Sequence, residues 1–360
     1  MSAAGQPSAA GLTPRPTADG AGLRTVRLCL LGFGSVPRAF CALLAQQERT
    51  LADRHGLRVL VTAAGTRHGC LLAPEGMSPA AVLAAVGERP APPQAALPAD
   101  ELLSASRADV LVELTVMEED FAPIATGHIE TAFALGMDVV TANKGPIAWN
   151  WRRVAAAAAA AGRRIRFEST VMDGLPVFSL LELALPDCRL LGFEAVFNAT
   201  TNYIIDAMGI GRSFDEALAH VQAAGYAEAD PSYDIDGWDA ACKAAALANV
   251  AMDAGITPAD IDKQSLRGVP LERIAQARSN GNRLRLVTTV WREEPGRVRG
   301  RVRATELDID HPLAPVGSES LGAILHTDLM ADVFVCEIAG LVPQTAYGVY
   351  ADLLHLCRDR

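Results

Sequence analysis

The sequence predicts an α/β fold that opens with a Rossmann-like nucleotide-binding domain and continues into a second α/β domain. Three observations carry this. Thr25–Leu31 is an apolar, β-branched run that passes straight into Gly32-Phe33-Gly34 and then a helical pattern to about Gln46. Further apolar runs alternate with helical periodicity down the chain. A length of 360 residues, half of them apolar, suffices for two buried cores.

Thr25–Leu31 has the character of a parallel strand covered on both faces. Gly32 and Gly34 permit a tight turn and close approach of backbone to a pyrophosphate, toward which the helix N-terminus points. Pro37 replaces the third glycine of the dinucleotide fingerprint, at a place in the first helical turn where proline is tolerated. Gly32, Phe33, Gly34, Ser35 and Val36 are therefore candidate cofactor contacts. The second strand is expected from Leu57 to about Ala63, ending in Ala64-Gly65-Thr66-Arg67-His68. An NAD site usually carries an acid here for the ribose hydroxyls. This chain has none, and Arg67 beside Thr66 suits a 2′-phosphate, so NADP is expected over NAD.

Residues 74–100 read as a Pro/Ala-rich loop with one short helix. A strand is expected over Ala108–Thr115, a helix near Ile129–Leu135, and a strand over Met137–Thr141. The last delivers Ala142-Asn143-Lys144-Gly145-Pro146 at its carboxyl end, the edge where ligands of open α/β sheets sit, which makes Lys144 a site candidate. An Ala-rich helix (150–162), a strand (163–167), a polar turn (168–176), a helix (177–185) and a strand (190–197) follow. Asn198-Ala199-Thr200-Thr201-Asn202-Tyr203 then opens another helix. Asn198 and Thr200 there either bind a small polar ligand or simply cap the helix, and both readings stand. Paired strands are expected at 283–291 and 298–308, a strand at 331–338, and a helix at 344–356 that returns to the first domain.

The densest chemistry lies between Gly225 and Lys243. Ser213-Phe214-Asp215-Glu216 has the form of a capping box for a helix ending at Gly225. An acidic loop broken by Pro231 leads to a helix from Trp238 to about Met252, on which Asp239 and Lys243 share a face. Alone, such a pair is an ordinary surface ion pair worth roughly a few tenths of a kcal/mol. Glu228, Asp234 and Asp236 crowd the preceding loop, however, and a cluster of this kind is costly unless it meets something cationic or polar.

Composition excludes several classes. A net charge of −10 and a pI near 5.2 argue against a nucleic-acid or anionic-membrane partner. Seven scattered cysteines without a CxxC suggest a reducing compartment with no disulfide frame or zinc cage. No apolar run reaches membrane-spanning length, and residues 1–24 read as the disordered tail of a cytoplasmic protein.

Thr141-Ala142-Asn143-Lys144, Asp173-Gly174-Leu175-Pro176, Asn198–Tyr203 and the Gly225–Lys243 block stand in the order and spacing of the homoserine dehydrogenase family, which the chain resembles over about residues 25–356. The resemblance implies a dinucleotide-binding domain at 25–150 completed by 340–360, and a substrate-binding and dimerisation domain at 151–339. It implies a homodimer, and NAD(P)-dependent interconversion of L-homoserine and L-aspartate 4-semialdehyde in threonine and methionine biosynthesis. Under it, Lys243, Lys144 and Asp239 are catalytic, Lys243 relaying the proton while Asp239 orients it. Partial burial and a like-charged neighbour are expected to lower the lysine pKa toward neutrality. Glu228 suits the substrate ammonium, and Asp234, Asn198 and Thr200 are further substrate contacts. Thr115, Lys144 and Gly340 join the turn residues and Arg67 as cofactor contacts, and Glu168 with Val171 matches a loop that in the family can hold a sodium ion.

Two segments depart from the family pattern. Met172-Asp173-Gly174 replaces a glycine-rich loop, and Ala339-Gly340-Leu341 is a reduced form of the usual C-terminal glycine-rich stretch. The chain ends at Arg360 without an ACT domain, so threonine feedback of that kind is not expected. Two other readings stay open: a related dehydrogenase acting on another small hydroxy or semialdehyde substrate, and a cofactor-binding homologue without turnover. Retention of Lys144, Asp239 and Lys243 speaks against the latter.

Overall fold

Strand burial sets the layout of the first half of the chain. In the computed structural model, which describes residues 22–118, 120–223, 230–293, 296–338 and 340–358, β1 (Arg24–Leu31) ends in four enclosed residues, Leu28 to Leu31. It leads through α1 (Ser35–Gln46) and α2 (Glu48–His55) to β2 (Leu57–Thr66), which turns back as β3 (Gly69–Met77). Then come α3 (Pro79–Val86), α4 (Ala99–Ser106), β4 (Val110–Glu113), α5 (Pro123–Ala134), β5 (Asp138–Thr141), α6 (Lys144–Ala161) and β6 (Ile165–Arg166). These strands form one sheet in the order β3-β2-β1-β4-β5-β6, parallel except for β3. Alternate residues of β1 feed opposite layers. Leu28 and Leu30 pack with Phe40 and Leu44 of α1, while Cys29 and Leu31 pack with Ile129 and Phe133 of α5.

Strand order reverses between β1 and β4, so their carboxyl ends open a crevice. Gly32 lines it with φ +90°, and a Cβ there would lie 2.2 Å from the Leu114 carbonyl oxygen. Only glycine fits.

The second half begins with α7 (Val177–Ser179), extended by a π-turn over Leu180–Ala184, then β7 (Leu190–Val196), α8 (Ala199–Met208) and α9 (Phe214–Ala223). α10 (Ser232–Ile235), α11 (Trp238–Met252), β8 (Asp262–Lys263), α12 (Leu271–Ser279), β9 (Arg283–Glu293) and β10 (Arg297–Leu307) follow. β11 (Leu321–Thr327), β12 (Asp332–Glu337) and α13 (Val342–Arg358) complete the described chain. The second sheet runs β12-β11-β7-β9-β10-β8, antiparallel except where β8 joins β10. One face packs on α8 and α11 around Phe193, Ile204 and Leu247. The other is partly covered by Leu313, Ala314 and Val316. α13 does return to the first sheet: Val349, Leu353 and Leu356 share the core of Leu28 and Phe40. No helix among the described residues is long and apolar enough to cross a membrane.

Several sequence expectations shift. β2 runs on to Thr66, and Gly69–Met77 is a strand rather than the approach to a loop. Its Pro74 is tolerated because it falls where the β2–β3 register breaks, between Leu72 and Met77, on the outermost strand of the sheet. The short helix expected within 74–100 is α3, and a further helix, α4, begins at the end of that stretch with Asp100 and Glu101 in its first turn. α6 starts at Lys144 rather than near residue 150, with Pro146 in its first turn and a kink at Asn150. β11 was not expected at all. Of the proposed tail at 1–24, residues 1–21 lie outside the described residues, and β1 already begins at Arg24.

Candidate active site

The site forms where β5, β7 and α11 converge. Lys144 is the first residue of α6, directly after β5 and Asn143, whose side chain caps the helix at the Gly145 amide (3.0 Å). Gly237, at φ +79°, lets the chain turn into α11. Asp239 in the first turn and Lys243 one turn later then share a face. Asp239 is bridged by two ammoniums: Lys144 Nζ lies 3.1 Å from one carboxylate oxygen and Lys243 Nζ 3.2 Å from the other. Lys243 also donates to the Phe197 carbonyl at 2.7 Å. Asn198, at the end of β7, donates to Asp234 (2.7 Å) and Asp239 (2.9 Å) while its Oδ1 caps α8 at the Thr201 amide (2.8 Å). Asn198 therefore caps α8 and at the same time contacts the two carboxylates. Thr200 sits buried in the first turn of α8.

Electrostatics follow from this bridge. Burial opposes the charge of Asp239, but the ammoniums of Lys243 and Lys144 outweigh it and hold the carboxyl below its ordinary range. Burial and the neighbouring Asp239 push Asp234 upward. For Lys144 the expected lowering is overturned. Burial does act downward, but the contact with Asp239, helped by Cys242 and Asp234, raises the lysine above its ordinary value. Cys242 is pushed up to about 11 by burial. Asp236 leaves the cluster and accepts from Ser265 Oγ at 2.6 Å. Glu228 lies outside the described residues.

Across the crevice, Gly34 and Ser35 are exposed, α1 has no acid in its first turn, and no side chain caps its amides. An N-terminus so arranged suits a diphosphate. Phe33 is buried, with Arg38 against its ring, and Val36 lies in the first turn of α1. Arg67 is exposed at the tip of the β2–β3 hairpin and donates to His68 at 2.9 Å. Thr115 follows β4, where it bonds to the side chain of Glu113. Gly340 has carboxylates for neighbours: a Cβ there would meet Asp173 Oδ2 at 2.3 Å and Glu337 Oε2 at 3.3 Å.

The cation loop takes a different arrangement. Glu168 is buried and accepts from the amides of Phe178 (2.7 Å) and Ser179 (2.8 Å) and from the Ser179 hydroxyl, so it caps α7. Val171 is enclosed in the apolar core. Both Glu168 oxygens thus accept from donors at the start of α7. No cluster of three or more His, Cys, Asp or Glu able to hold a metal exists among the described residues.

Sequence reasoning missed Glu113 and His128. Glu113 is fully buried at the end of β4 and takes Thr115, Thr141 and His128 as partners. The available signal was an acid closing an otherwise apolar strand.

Two family descriptions match the chain: "Homoserine dehydrogenase, NAD binding domain" over residues 32–168 and "Homoserine dehydrogenase" over residues 176–354. The NAD(+)-dependent homoserine dehydrogenase of Pseudomonas canavaninivorans is 31% identical over 338 residues, covering 92% of this chain and 96% of its own. Homoserine dehydrogenase from Mycobacterium leprae is 31% identical, covering 94% of this chain and 73% of its own. The crystal structure of a putative homoserine dehydrogenase from Archaeoglobus fulgidus superposes with a TM-score of 0.82 at 27% identity, over 92% of this chain and 99% of that one. A hyperthermophilic archaeal homoserine dehydrogenase in complex with NADPH gives a TM-score of 0.79 at 26% identity, over 94% and 99%.

The Asp239 bridge yields a stability prediction. A carboxyl whose folded pKa is depressed contributes stability above its unfolded value, lost as pH falls toward the folded one. Asp239→Asn should cost about 3–5 kcal/mol near neutrality, because it leaves two buried ammoniums uncompensated. Urea denaturation at pH 7 and pH 3 checks this: the gap between wild type and variant should be smaller at the lower pH.

Proposed function

The chain belongs to the homoserine dehydrogenase family and is an NAD(P)-dependent oxidoreductase, and we propose that the site around Asp239 interconverts L-homoserine and L-aspartate 4-semialdehyde. The observation that carries the residue assignment is the single buried carboxylate held between Lys144 and Lys243. Bound nicotinamide cofactor supplies or accepts the hydride. In the reductive direction Lys243, as an ammonium, donates a proton to the aldehyde oxygen as that oxygen gains charge, and in the oxidative direction it takes the hydroxyl proton back. Asp239 orients Lys243 along the helix face, and the Lys144 ammonium stabilises charge developing on the same oxygen. Asp234, Asn198 and Thr200 border this point and are assigned to the substrate's polar groups. Glu228 is assigned to its ammonium from the sequence pattern. No step runs through a sodium ion.

Gly32, Phe33, Gly34, Ser35 and Val36 are assigned to the cofactor diphosphate, with Thr115 across the crevice, and Gly340 is assigned to the cofactor from the sequence pattern. Among the relatives, one is named for NAD(+) and another was solved with NADPH. The absence of an acid at the end of β2 and the exposed Arg67 favour NADP in this chain. The outer face of the second sheet, with Trp291 37% and Phe334 43% exposed, is assigned to a homodimer contact.

Three measurements test these assignments. Lys243→Ala should lower homoserine oxidation, followed by reduced-nicotinamide absorbance, about a thousandfold while cofactor affinity stays nearly constant. Wild-type turnover would remove Lys243 from the mechanism. Arg67→Ala should raise the KM for NADP about tenfold and leave that for NAD unchanged, since one charge-assisted contact is worth about 1.5 kcal/mol or more. An equal effect on both cofactors would remove the preference. In sedimentation, purified protein should run as a dimer that Trp291→Glu splits; a monomeric wild type would remove the interface.

A further inference from the structure

We propose that Glu113, braced by His128, is a positioning residue for the reaction: it fixes the β5–α6 turn that presents Lys144 to Asp239. This rests on the reading of Lys144 as part of the catalytic set.

Glu113 closes β4 and is fully buried, yet among the described residues its only ion-pair partner is His128, with Nδ1 3.4 Å from Oε1. Without an arginine or lysine beside it, a carboxylate at that depth is costly unless its oxygens are well supplied with donors. They are. Oε1 receives the Thr115 hydroxyl and the Thr115 amide (3.3 Å). Thr141 Oγ1 accepts from the Asn143 amide at 2.9 Å, which turns its single proton toward Glu113, whose carbonyl lies at 3.0 Å and Oε2 at 3.4 Å.

Asn143 joins this network to the helix. Its Nδ2 donates to the Thr115 carbonyl at 3.3 Å, and its Oδ1 accepts from the Gly145 amide at 3.0 Å. Lys144 sits between those two anchored residues, so the direction of its side chain is set by a turn whose polar contacts lead back to Glu113. On the far side the Lys144 ammonium meets Asp239 at 3.1 Å. The Thr115 amide presents a hydrogen to Oε1, and Thr141, which already accepts from the Asn143 amide, presents its own toward Glu113, so the position calls for a group that accepts on both oxygens. A glutamine there has the same shape but turns an NH2 toward one of those donors. The network then opens at the turn while the apolar packing of β4 remains.

The test compares Glu113→Gln, Thr141→Val and their double variant with wild type for kcat, KM, cofactor affinity and thermal midpoint. Thr141→Val keeps the carboxylate and cuts the same link from the other strand, so it reads the proposal even where Glu113→Gln does not fold. Misplacement of one catalytic group should lower kcat about tenfold to a hundredfold, with cofactor affinity within about twofold. The double variant should lose no more than the worse single one, because both changes cut one path. The basic limb of the pH profile should also move to lower pH, since contact with Asp239 is what holds Lys144 above its ordinary value. Unchanged kcat, additive losses, or a fallen thermal midpoint with an unmoved basic limb would overturn the proposal. Lys144→Ala separates the two levels. Full turnover in that variant would sink the reading of Lys144 and this inference with it, whereas a dead Lys144→Ala beside an active Glu113→Gln would sink this inference alone.

Discussion

The anion of Asp239 is the constraint on which the arrangement depends. A carboxylate this deep is tolerated only when counter-charges or hydrogen-bond donors meet it at close range, since the effective desolvation penalty is of the order of several kcal/mol per ion. Here it is met twice, once from its own helix and once from the first domain. The bridge is therefore also a joint. Asn249, further along α11, reinforces it by donating to the carbonyls of Ile147 (3.4 Å) and Ala148 (3.2 Å) in the first turns of α6. The same interaction that assembles the chemistry fixes one domain against the other, so a loose joint would also be a poor site.

The sheet makes the other half of the geometry inevitable. Once β1 is buried on both faces it must be central. Once strand order reverses at β1 and β4, the crevice must open where Gly32 and Thr115 face one another. β5 then ends two strands away from β1, close enough for Lys144 to reach across to Asp239. The cofactor crevice and the lysine bridge are thus neighbours because of strand order.

What could be read from the sequence was what depends on nearby residues. The Gly-x-Gly turn after a buried strand, the i,i+4 pair of Asp239 and Lys243, and the strand-end position of Lys144 are local patterns, and of these Lys144 and Lys243 meet at Asp239. What could not be read depends on a third party. The direction of the Lys144 shift required knowing that Asp239 would lie 3.1 Å from it, over ninety positions away in the chain. The capping of α7 by Glu168 likewise depends on the amides of Phe178 and Ser179, ten and eleven positions further along the chain. β3 was obscured by Pro74, which is harmless only at an edge that pairing alone defines.

The two departures from the family pattern show the same logic from the opposite side. In sequence, Met172-Asp173-Gly174 and Ala339-Gly340-Leu341 are separate changes; in space Asp173 and Gly340 meet. Thr345 donates to Asp173 Oδ1 at 3.2 Å, and a Cβ on Gly174 would lie 2.2 Å from the Gln344 carbonyl oxygen. Asp173 holds this contact with φ +46°, a conformation that disfavours most side chains and that aspartate tolerates better than most. Glu337 faces the same point, and burial, followed by repulsion from Asp173, pushes its carboxyl up to about 7, while Lys243 pulls the other way. Glu337 so placed does not carry its charge cheaply at neutral pH. The glycine at 340 leaves room for both carboxylates, since a Cβ there would push the Asp173 carboxylate aside.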